Sequence, residues 1–238
     1  MANDTADAST VKLGERIASQ LRDEIIAGQI EPGARLRLMP LAKRLGVSTT
    51  PVREALAILE RQGLLQSQLH RGFQVTKIAP RDIADLYALT ASISELLTER
   101  ATRRVSDEDL DELEQLDRAQ QEATRQNDAL AASDLNHELH RRIHLAGRSP
   151  LLLRFLRETT PFVSRHNDPD VPGWAQQRLE GHGEILEAMR RRDGQKAARL
   201  MGDHIRKSGV IAAKFAEEQD AGKVVATARA RAQRRTSK

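Results

Sequence analysis

The chain lacks cysteine, contains few aromatic residues and has no long apolar run. The absence of cysteine excludes disulfides and thiol chemistry. It also fits a reducing cytoplasm, where we expect the protein to reside. No apolar stretch approaches the ~18 residues that a membrane-spanning helix needs. The polar segment 1–10, which we expect to be flexible, lacks the apolar core of a signal peptide. We therefore expect no membrane association.

The positive charge of the chain is concentrated at its C-terminal end. Residues 221–238 contain six lysines and arginines and no acidic residue. Removing them changes the formal net charge from +4 to −2, so the excess of positive charge belongs to the tail. Such a segment can attract phosphate groups without sequence preference, but it is also typical of a solvated chain end. We interpret residues 219–238 as a basic disordered tail.

A length of 238 residues is sufficient for two domains, and the first follows a helical pattern. Apolar residues recur at helical spacing over 11–28, and Gly28 ends this stretch. A short second helix is predicted over 38–45, and a third begins after Ser48 and continues to about Gln62. The spacing therefore predicts three successive helices, followed by short strands.

The segment that follows Ser48 has the features of a helix that binds in a groove of DNA. Ser48 is a suitable N-cap, because its hydroxyl can accept a hydrogen bond from an unpaired backbone N–H. Pro51 lies in the first turn, where the missing N–H of proline costs little. Thr49, Thr50 and Arg53 then point outward near the N-terminal end, which is the part of a recognition helix that meets base edges.

Two short strands are predicted next, over Leu64–Gln68 and Phe73–Lys77. The tip of the hairpin between them is basic and includes Arg71 and Gly72. A hairpin of this kind is typical of the wing that contacts a neighbouring groove. Residues 11–78 are therefore predicted to form a winged helix-turn-helix DNA-binding domain.

Several short motifs occur in this region at a regular spacing: Pro32-Gly33, Leu45-Gly46-Val47-Ser48, Pro51-Val52-Arg53-Glu54-Ala55-Leu56 and Gly63-Leu64. This arrangement resembles the GntR family of bacterial transcription regulators. The resemblance implies contacts to a double-stranded DNA operator from Arg53 and from Arg35, which we place at the start of the second helix. Thr49 stands where the family usually has an arginine, a common reader of guanine, so we expect an altered operator sequence.

From Pro80 onward the strand signals stop and long amphipathic stretches begin. Ser106 and Asp109 have the spacing of a capping box, with Asp in the position that Glu usually takes. Six helices are expected, over residues 80–104, 107–126, 129–147, 150–165, 172–192 and 194–217. A mainly α-helical protein is therefore predicted, with an antiparallel helical bundle over residues 79–218.

Histidines are concentrated in this predicted bundle. His140, His182 and His204 fall on three separate helices, and three imidazoles with one oxygen ligand suit Zn²⁺, Ni²⁺ or Mn²⁺. Asn136 and His140 share one helix face, and so do His140 and His144. The spacing alone leaves open which of these two pairs points inward.

Two further motifs lie in the bundle: Asn136 and His140 followed by Pro150-Leu151-Leu152, and His182, Ile185, Leu186, Ala188, Asp193, Ala197 and His204. With them, residues 82–215 resemble the FCD ligand-binding domain of the FadR subfamily of GntR regulators. The resemblance implies that a divalent metal, with zinc expected and nickel or manganese as alternatives, is bound by Asn136, His140, His182 and His204.

This region departs from the family pattern at two places. Asn136 replaces the more common aspartate and is a weaker donor, so we expect a lower metal affinity. Thr90 and Ala91 stand where the family often has an arginine that helps to hold an acidic ligand. The expected anchor for a small carboxylate effector is therefore the metal itself.

Three classes of function are considered for the whole chain. A ligand-responsive regulator, most simply a repressor, would bind DNA as a homodimer and change its affinity when a small organic acid binds. An architectural DNA-binding dimer with a purely structural bundle is the alternative. A metalloenzyme is not expected, because His137-Glu138-Leu139-His140 is one residue short of the zinc-protease motif.

Overall fold

The chain divides into two compact units, Met1–Ile78 and Ala79–Lys238. The boundary lies in the Ile78-Ala79-Pro80 junction, where the sequence changes from mixed helix and strand signals to helix alone. In this computed structural model the backbone is described for residues 3–26, 28–68, 72–164 and 173–236. Within those ranges, no helix is both long and apolar enough to cross a membrane.

The first unit is a winged helix-turn-helix, as predicted. Its strands form a three-stranded antiparallel sheet in the order β1-β3-β2. The elements in chain order are α1 (Asn3–Ile26), β1 (Arg35–Leu36), α2 (Leu38–Leu45), α3 (Thr49–Arg61), β2 (Leu65–Gln68) and β3 (Gly72–Val75).

Helix α3 is held in place by its apolar face. Val52, Leu56 and Leu59 are fully buried, and α3 packs mainly against α1, whose Leu21 and Ile25 are also fully buried. Burial of each large apolar side chain stabilises the fold by roughly 1.5–3 kcal/mol. The opposite face of α3 is thereby left toward solvent.

The structure corrects the predicted position of Arg35. This residue belongs to β1, not to the second helix, and pairs with Gln74 of β3. Leu36 is buried and anchors the strand. A two-residue strand produces no alternating pattern that sequence inspection can recognise. Gly72, at the start of β3, has φ +83°, and a Cβ there would lie 2.8 Å from the Leu36 carbonyl oxygen. Because Gly72 has no Cβ, strands β1 and β3 can lie close to each other at this point.

Both chain ends differ from expectation. Helix α1 begins at Asn3, inside the segment predicted to be flexible, and the last helix continues to Thr236 through the tail predicted to be disordered. Neither 3–10 nor 219–236 contains proline, and the C-terminal segment is rich in alanine and arginine, which are strong helix formers. The run of positive charge does not prevent helix formation there.

The second unit is entirely helical in its described residues. Its elements are α4 (Pro80–Thr102), α5 (Asp107–Arg125), α6 (Ala129–Ala146), α7 (Pro150–Ser164), α8 (Trp174–Leu179), α9 (His182–Arg190) and α10 (Gly194–Thr236). The single helix predicted over 172–192 is wrong. Glu180 is extended and Gly181 has φ +99°, so α8 ends and α9 begins there.

Helices α4 and α10 lie side by side in opposite directions. Three glycines of α10 lie close against α4, and their contacts pair Gly194 with Glu99, Gly202 with Glu95, and Gly209 with Tyr87. Because residue numbers rise along α10 while they fall along α4, the two helices are antiparallel. These contacts define which residues of α4 and α10 lie at the same height in the bundle.

The predicted capping box at the start of α5 is confirmed and can be tested for its stability effect. The Asp109 N–H donates to the Ser106 hydroxyl, and the Ser106 N–H donates to the Asp109 carboxylate, each over 3.0 Å. We expect Ser106→Ala to lower the free energy of unfolding by about 1 kcal/mol in urea denaturation. Ser92→Ala, in the interior of α4, is the control and should change it by less than about 0.5 kcal/mol. Equal effects of the two substitutions would contradict the role of the cap.

Candidate functional site

The exposed surface of α3 is the first candidate site. Ser48, Thr50 and Arg53 are exposed, whereas Thr49 is half-buried. Ser48 occupies the N-cap position, but its side chain makes no capping hydrogen bond, which corrects the prediction. Pro51, the third residue of the helix, has no N–H, so one of the two donors that an N-cap hydroxyl can use is missing.

Three cationic side chains are exposed on α3 and on neighbouring segments of the same unit. Arg35 on β1, Arg37 before α2 and Arg53 on α3 are all exposed. In the described part of the chain, none of the three forms an ion pair with another residue. Their guanidinium groups are thus available to an external anion such as phosphate. Arg71 lies outside the described residues.

The second candidate site is a cluster of three histidines inside the helical unit. His140 comes from α6, His182 is the first residue of α9, and His204 comes from α10. One ring nitrogen of each lies within 4.8 Å of the other two. The His140 Nε2 and His182 Nε2 atoms are 3.1 Å apart. The structure therefore brings together the three histidines that the sequence singled out.

The break between α8 and α9 positions this cluster. Gly181 has φ +99°, a conformation that other residues rarely adopt. A Cβ at this position would lie only 2.9 Å from His204 Nδ1. Gly181 therefore allows the chain to turn tightly beside the His204 ring and to present His182 on the following residue. The Gln177 Nε2 atom of α8 donates to the His204 carbonyl oxygen over 3.0 Å, which ties α8 to the same point of α10.

A buried carboxylate, Asp117 of α5, lies against the cluster and was missed by sequence inspection. Its Oδ1 atom is 3.3 Å from His182 Nδ1, and its Oδ2 atom accepts a hydrogen bond from Gln121 Nε2 over 2.8 Å. A carboxylate beside Nδ1 favours a proton on that nitrogen and leaves Nε2 as a free donor of electrons. One feature of the sequence could have revealed it: Asp117 lies at helical spacing from Leu110 and Leu113, on the apolar face of α5.

Burial holds His140, His144 and His204 in their neutral form. Burial, together with the neighbouring histidines, lowers the pKa of His140 well below its ordinary value. Burial lowers the pKa of His204 to about 3 and that of His144, one turn after His140, to about 4. Neutral imidazole is the form that binds metal ions.

The donor set fits a divalent metal. Ligand nitrogens of a tetrahedral zinc lie about 3.3 Å apart, because Zn–N bonds are about 2.0–2.1 Å long. The 3.1 Å separation of the two Nε2 atoms is close to this value. Asn136, the predicted fourth ligand, lies one turn before His140 on α6 and is half-buried. Residues four apart share a helix face, so Asn136 is placed toward the same side as His140.

Comparisons with known proteins give a consistent result for both units. Residues 13–75 match the family described as bacterial regulatory proteins, gntR family, and residues 85–207 match the FCD domain.

Individual relatives cover one or both units. The regulator YdhC of Bacillus subtilis is 30% identical over 125 residues, which are 51% of this chain and 56% of YdhC. A probable D-xylose utilization operon transcriptional repressor of Paenarthrobacter nicotinovorans is 28% identical over 207 residues, covering 84% of this chain and 90% of the relative. The structure of E. coli McbR/YncC matches with a TM-score of 0.71 at 21% identity, covering 85% and 98% of the two chains, and supports the fold.

The neutral buried histidines predict a loss of stability in mild acid. His144 has a pKa of about 4 in the folded protein and about 6.5 when unfolded, so the unfolded chain binds more protons below pH 6.5. Stability is therefore retained above pH 6.5 and lost as the pH falls. Between pH 7 and pH 5 this histidine should cost about 2 kcal/mol of unfolding free energy.

Urea denaturation of chelator-treated protein at both pH values tests this expectation. His144→Gln should lose about 2 kcal/mol less than the wild type over that interval. An equal loss in the two proteins would contradict the buried, neutral state of His144.

Proposed function

The chain belongs to the GntR family of bacterial regulatory proteins and carries an FCD domain, and from this premise we propose that it is a metal-dependent, acid-responsive repressor of the FadR subfamily. It is a DNA-binding transcriptional regulator with an effector-binding domain, not an enzyme. The metal, the carboxylate effector, the homodimer and repression are our inferences. The observation that carries the metal and the effector is the cluster of His140, His182 and His204 inside the FCD domain.

DNA binding is assigned to the exposed face of α3. Thr50 and Arg53 are the exposed residues of its first turns, and this end of a recognition helix meets base edges in the major groove. Arg35 and Gly72 lie on neighbouring strands of the wing, where Arg35 is available to phosphate. A homodimer would place two such helices in two half-sites about one DNA turn apart.

A homodimer is supported by apolar side chains that remain exposed on the helical unit. Leu89 and Leu96 are seven residues apart on one face of α4, and Leu151 and Phe155 are exposed on α7. About half or more of each side chain is accessible, between 47% for Leu96 and 62% for Leu151. Exposed apolar groups of this size are typical of protein–protein contact surfaces.

The metal ligands that we propose are Asn136, His140, His182 and His204, with zinc as the expected ion and nickel or manganese as alternatives. When bound, the metal would supply a Lewis-acidic anchor for an effector carboxylate. The protein contributes the three imidazoles and the Asp117 carboxylate, which lies 3.3 Å from His182 Nδ1. No buried lysine or arginine of the described chain offers another anchor for an anion.

Repression is proposed because the Paenarthrobacter relative is named as a repressor. An effector that binds one dimer geometry more tightly shifts the population toward that geometry. Couplings of this kind usually amount to about 1–3 kcal/mol. Effector binding near His204 of α10 would therefore alter operator affinity through the arrangement of the dimer.

The role of α3 is tested by Arg53→Ala. Loss of a base or phosphate contact should weaken operator binding by about 1–3 kcal/mol, measured by fluorescence anisotropy at fixed salt with an operator selected from random DNA. Arg61→Ala, at the opposite end of the same helix, is the matched control and should bind nearly as the wild type does. An unchanged affinity after Arg53→Ala would refute the proposed docking of α3.

The metal centre is tested by calorimetric titration of chelator-stripped protein with Zn²⁺. The double substitution His182→Ala with His204→Ala should abolish binding while the dimer stays folded. Asp117→Asn should keep one site per chain but weaken it by about 10–100-fold. His144→Gln is the control and should retain the site. Full zinc binding by the double variant would overturn the ligand assignment.

A further inference from the structure

Charge is distributed unevenly between the parts of the chain. Residues 1–78 contain 11 lysines and arginines and 8 acidic residues. Residues 79–220 contain 21 basic and 26 acidic residues, a formal net charge of −5, which by itself repels a polyanion such as DNA. Residues 221–238 contain six basic residues and no acidic one. The last part of the helical unit therefore reverses the sign of the charge within a short segment.

The cations of this last segment lack the carboxylate neighbours that other arginines of the unit have. Arg141 pairs with Glu138, and Arg191 pairs with Glu187 one turn away on the same helix. From Arg229 onward, the sequence offers no acidic residue within four positions in either direction. Like charges one turn apart slightly destabilise a helix. This density of positive charge therefore does not serve the helix itself and indicates an anionic partner outside it.

The backbone carries these charges beyond the helical bundle. Helix α10 is antiparallel to α4, and its Gly209 packs against Tyr87. Because both helices rise by about 1.5 Å per residue, the first residue of α4, Pro80, is level with about residue 216 of α10. Helix α10 continues to Thr236. Its last turns therefore extend by roughly 30 Å beyond the start of α4.

The direction of this overhang relates it to the course of the chain. The segment Ile78-Ala79-Pro80, through which the DNA-binding unit is attached, enters the helical unit at the start of α4. Residues 221–236, which we call the basic extension, thus leave the helical unit at the end where the chain arrives from the DNA-binding unit. A helix of this length is about 24 Å long and can span several phosphates of one DNA strand. Its five cations are Lys223, Arg229, Arg231, Arg234 and Arg235.

The composition of the basic extension favours a nucleic acid over a membrane surface. It contains no aromatic residue, leucine, isoleucine or methionine, and its largest apolar residues are Val224 and Val225. A helix that lies on a membrane needs a broad apolar face built from such large residues. A basic helix without this face binds through charge alone. Double-stranded DNA, the ligand of the family to which the chain belongs, presents one negative charge per about 1.7 Å.

We propose that the basic extension is a second DNA-contacting element, which binds the phosphate backbone and adds affinity without reading the base sequence. It acts in addition to α3, whose exposed residues are assigned to the operator. The proposal depends on DNA binding by the chain, and is independent of the metal, the effector and repression. It also assigns a function to the one strongly basic part of an otherwise acidic helical unit.

The experiment measures the salt dependence of DNA binding by the full-length protein, with fluorescence anisotropy. The ligands are an operator selected from random DNA and an unrelated duplex of equal length. Replacement of all five cations of the basic extension by glutamine should lower the steepness of log K against log salt concentration by about 2 or more per chain, since each phosphate contact contributes about 0.9. Affinity at about 0.1 M salt should fall roughly tenfold or more for both duplexes.

Two control variants accompany this measurement. Changing the four arginines of the basic extension to lysine keeps the charge, so affinity and salt dependence should stay close to those of the wild type. The matched control removes five exposed cations at the opposite end of the helical unit, where Gly194 packs against Glu99. It should change the slope by less than about 1. The residues replaced by glutamine in this control are Arg103, Arg104, Arg191, Lys196 and Arg199.

Three results would overturn the proposal. The first is an unchanged slope after neutralisation of the basic extension, or a change equal to that of the matched control. The second is a loss of affinity for the operator alone, because the extension would then read base sequence. The third is retained DNA binding with loss of binding to phosphatidylglycerol vesicles, which would make the extension a membrane contact.

Discussion

The grouping of three imidazoles inside the helical unit, with His182 and His204 buried and His140 partly buried, is the constraint on which the functional structure depends. Burial is unfavourable for a charged ring, so His140 and His204 are neutral at the pH of a cell. The Nε2 atoms of His140 and His182 are 3.1 Å apart, a separation at which they can hydrogen-bond to one another or share a partner. A metal ion would supply that partner, and the same burial would strengthen its interaction with an anionic ligand.

Several local features serve this arrangement. Gly181 lets the chain turn tightly beside the His204 ring, and Asp117 lies beside the Nδ1 atom of His182. Helix α10 carries His204 and packs along α4 through glycine contacts.

The sequence predicted those parts of the molecule that depend on local patterns. The helical spacing after Ser48 predicted α3, and the Ser106 capping box predicted the start of α5. Features that depend on tertiary contact were missed. Strand β1 has only two residues, and its pairing with β3 is visible only in the fold. The interruption at Gly181 was overlooked because a single glycine does not break an otherwise helical pattern.

In the candidate site, too, local sequence patterns identified some residues, whereas residues that depend on tertiary contact were missed. The three histidines were identified from their spacing and from the resemblance to the FCD domain, since each lies in a recognisable motif. Asp117 was missed although it lies at helical spacing from Leu110 and Leu113, because its place in the site is visible only from its contact with His182. That contact joins α5 to α9 and is a property of the packed helices.

The most direct test of this account is the affinity for operator DNA, measured on one protein preparation without metal, with Zn²⁺, and with Zn²⁺ plus a binding acid. The account predicts that the acid changes operator affinity by about 5–150-fold in the presence of Zn²⁺ and has no effect after Zn²⁺ has been removed. An operator affinity that is the same in all three conditions would contradict the account and would leave the helical unit without an effector-sensing role.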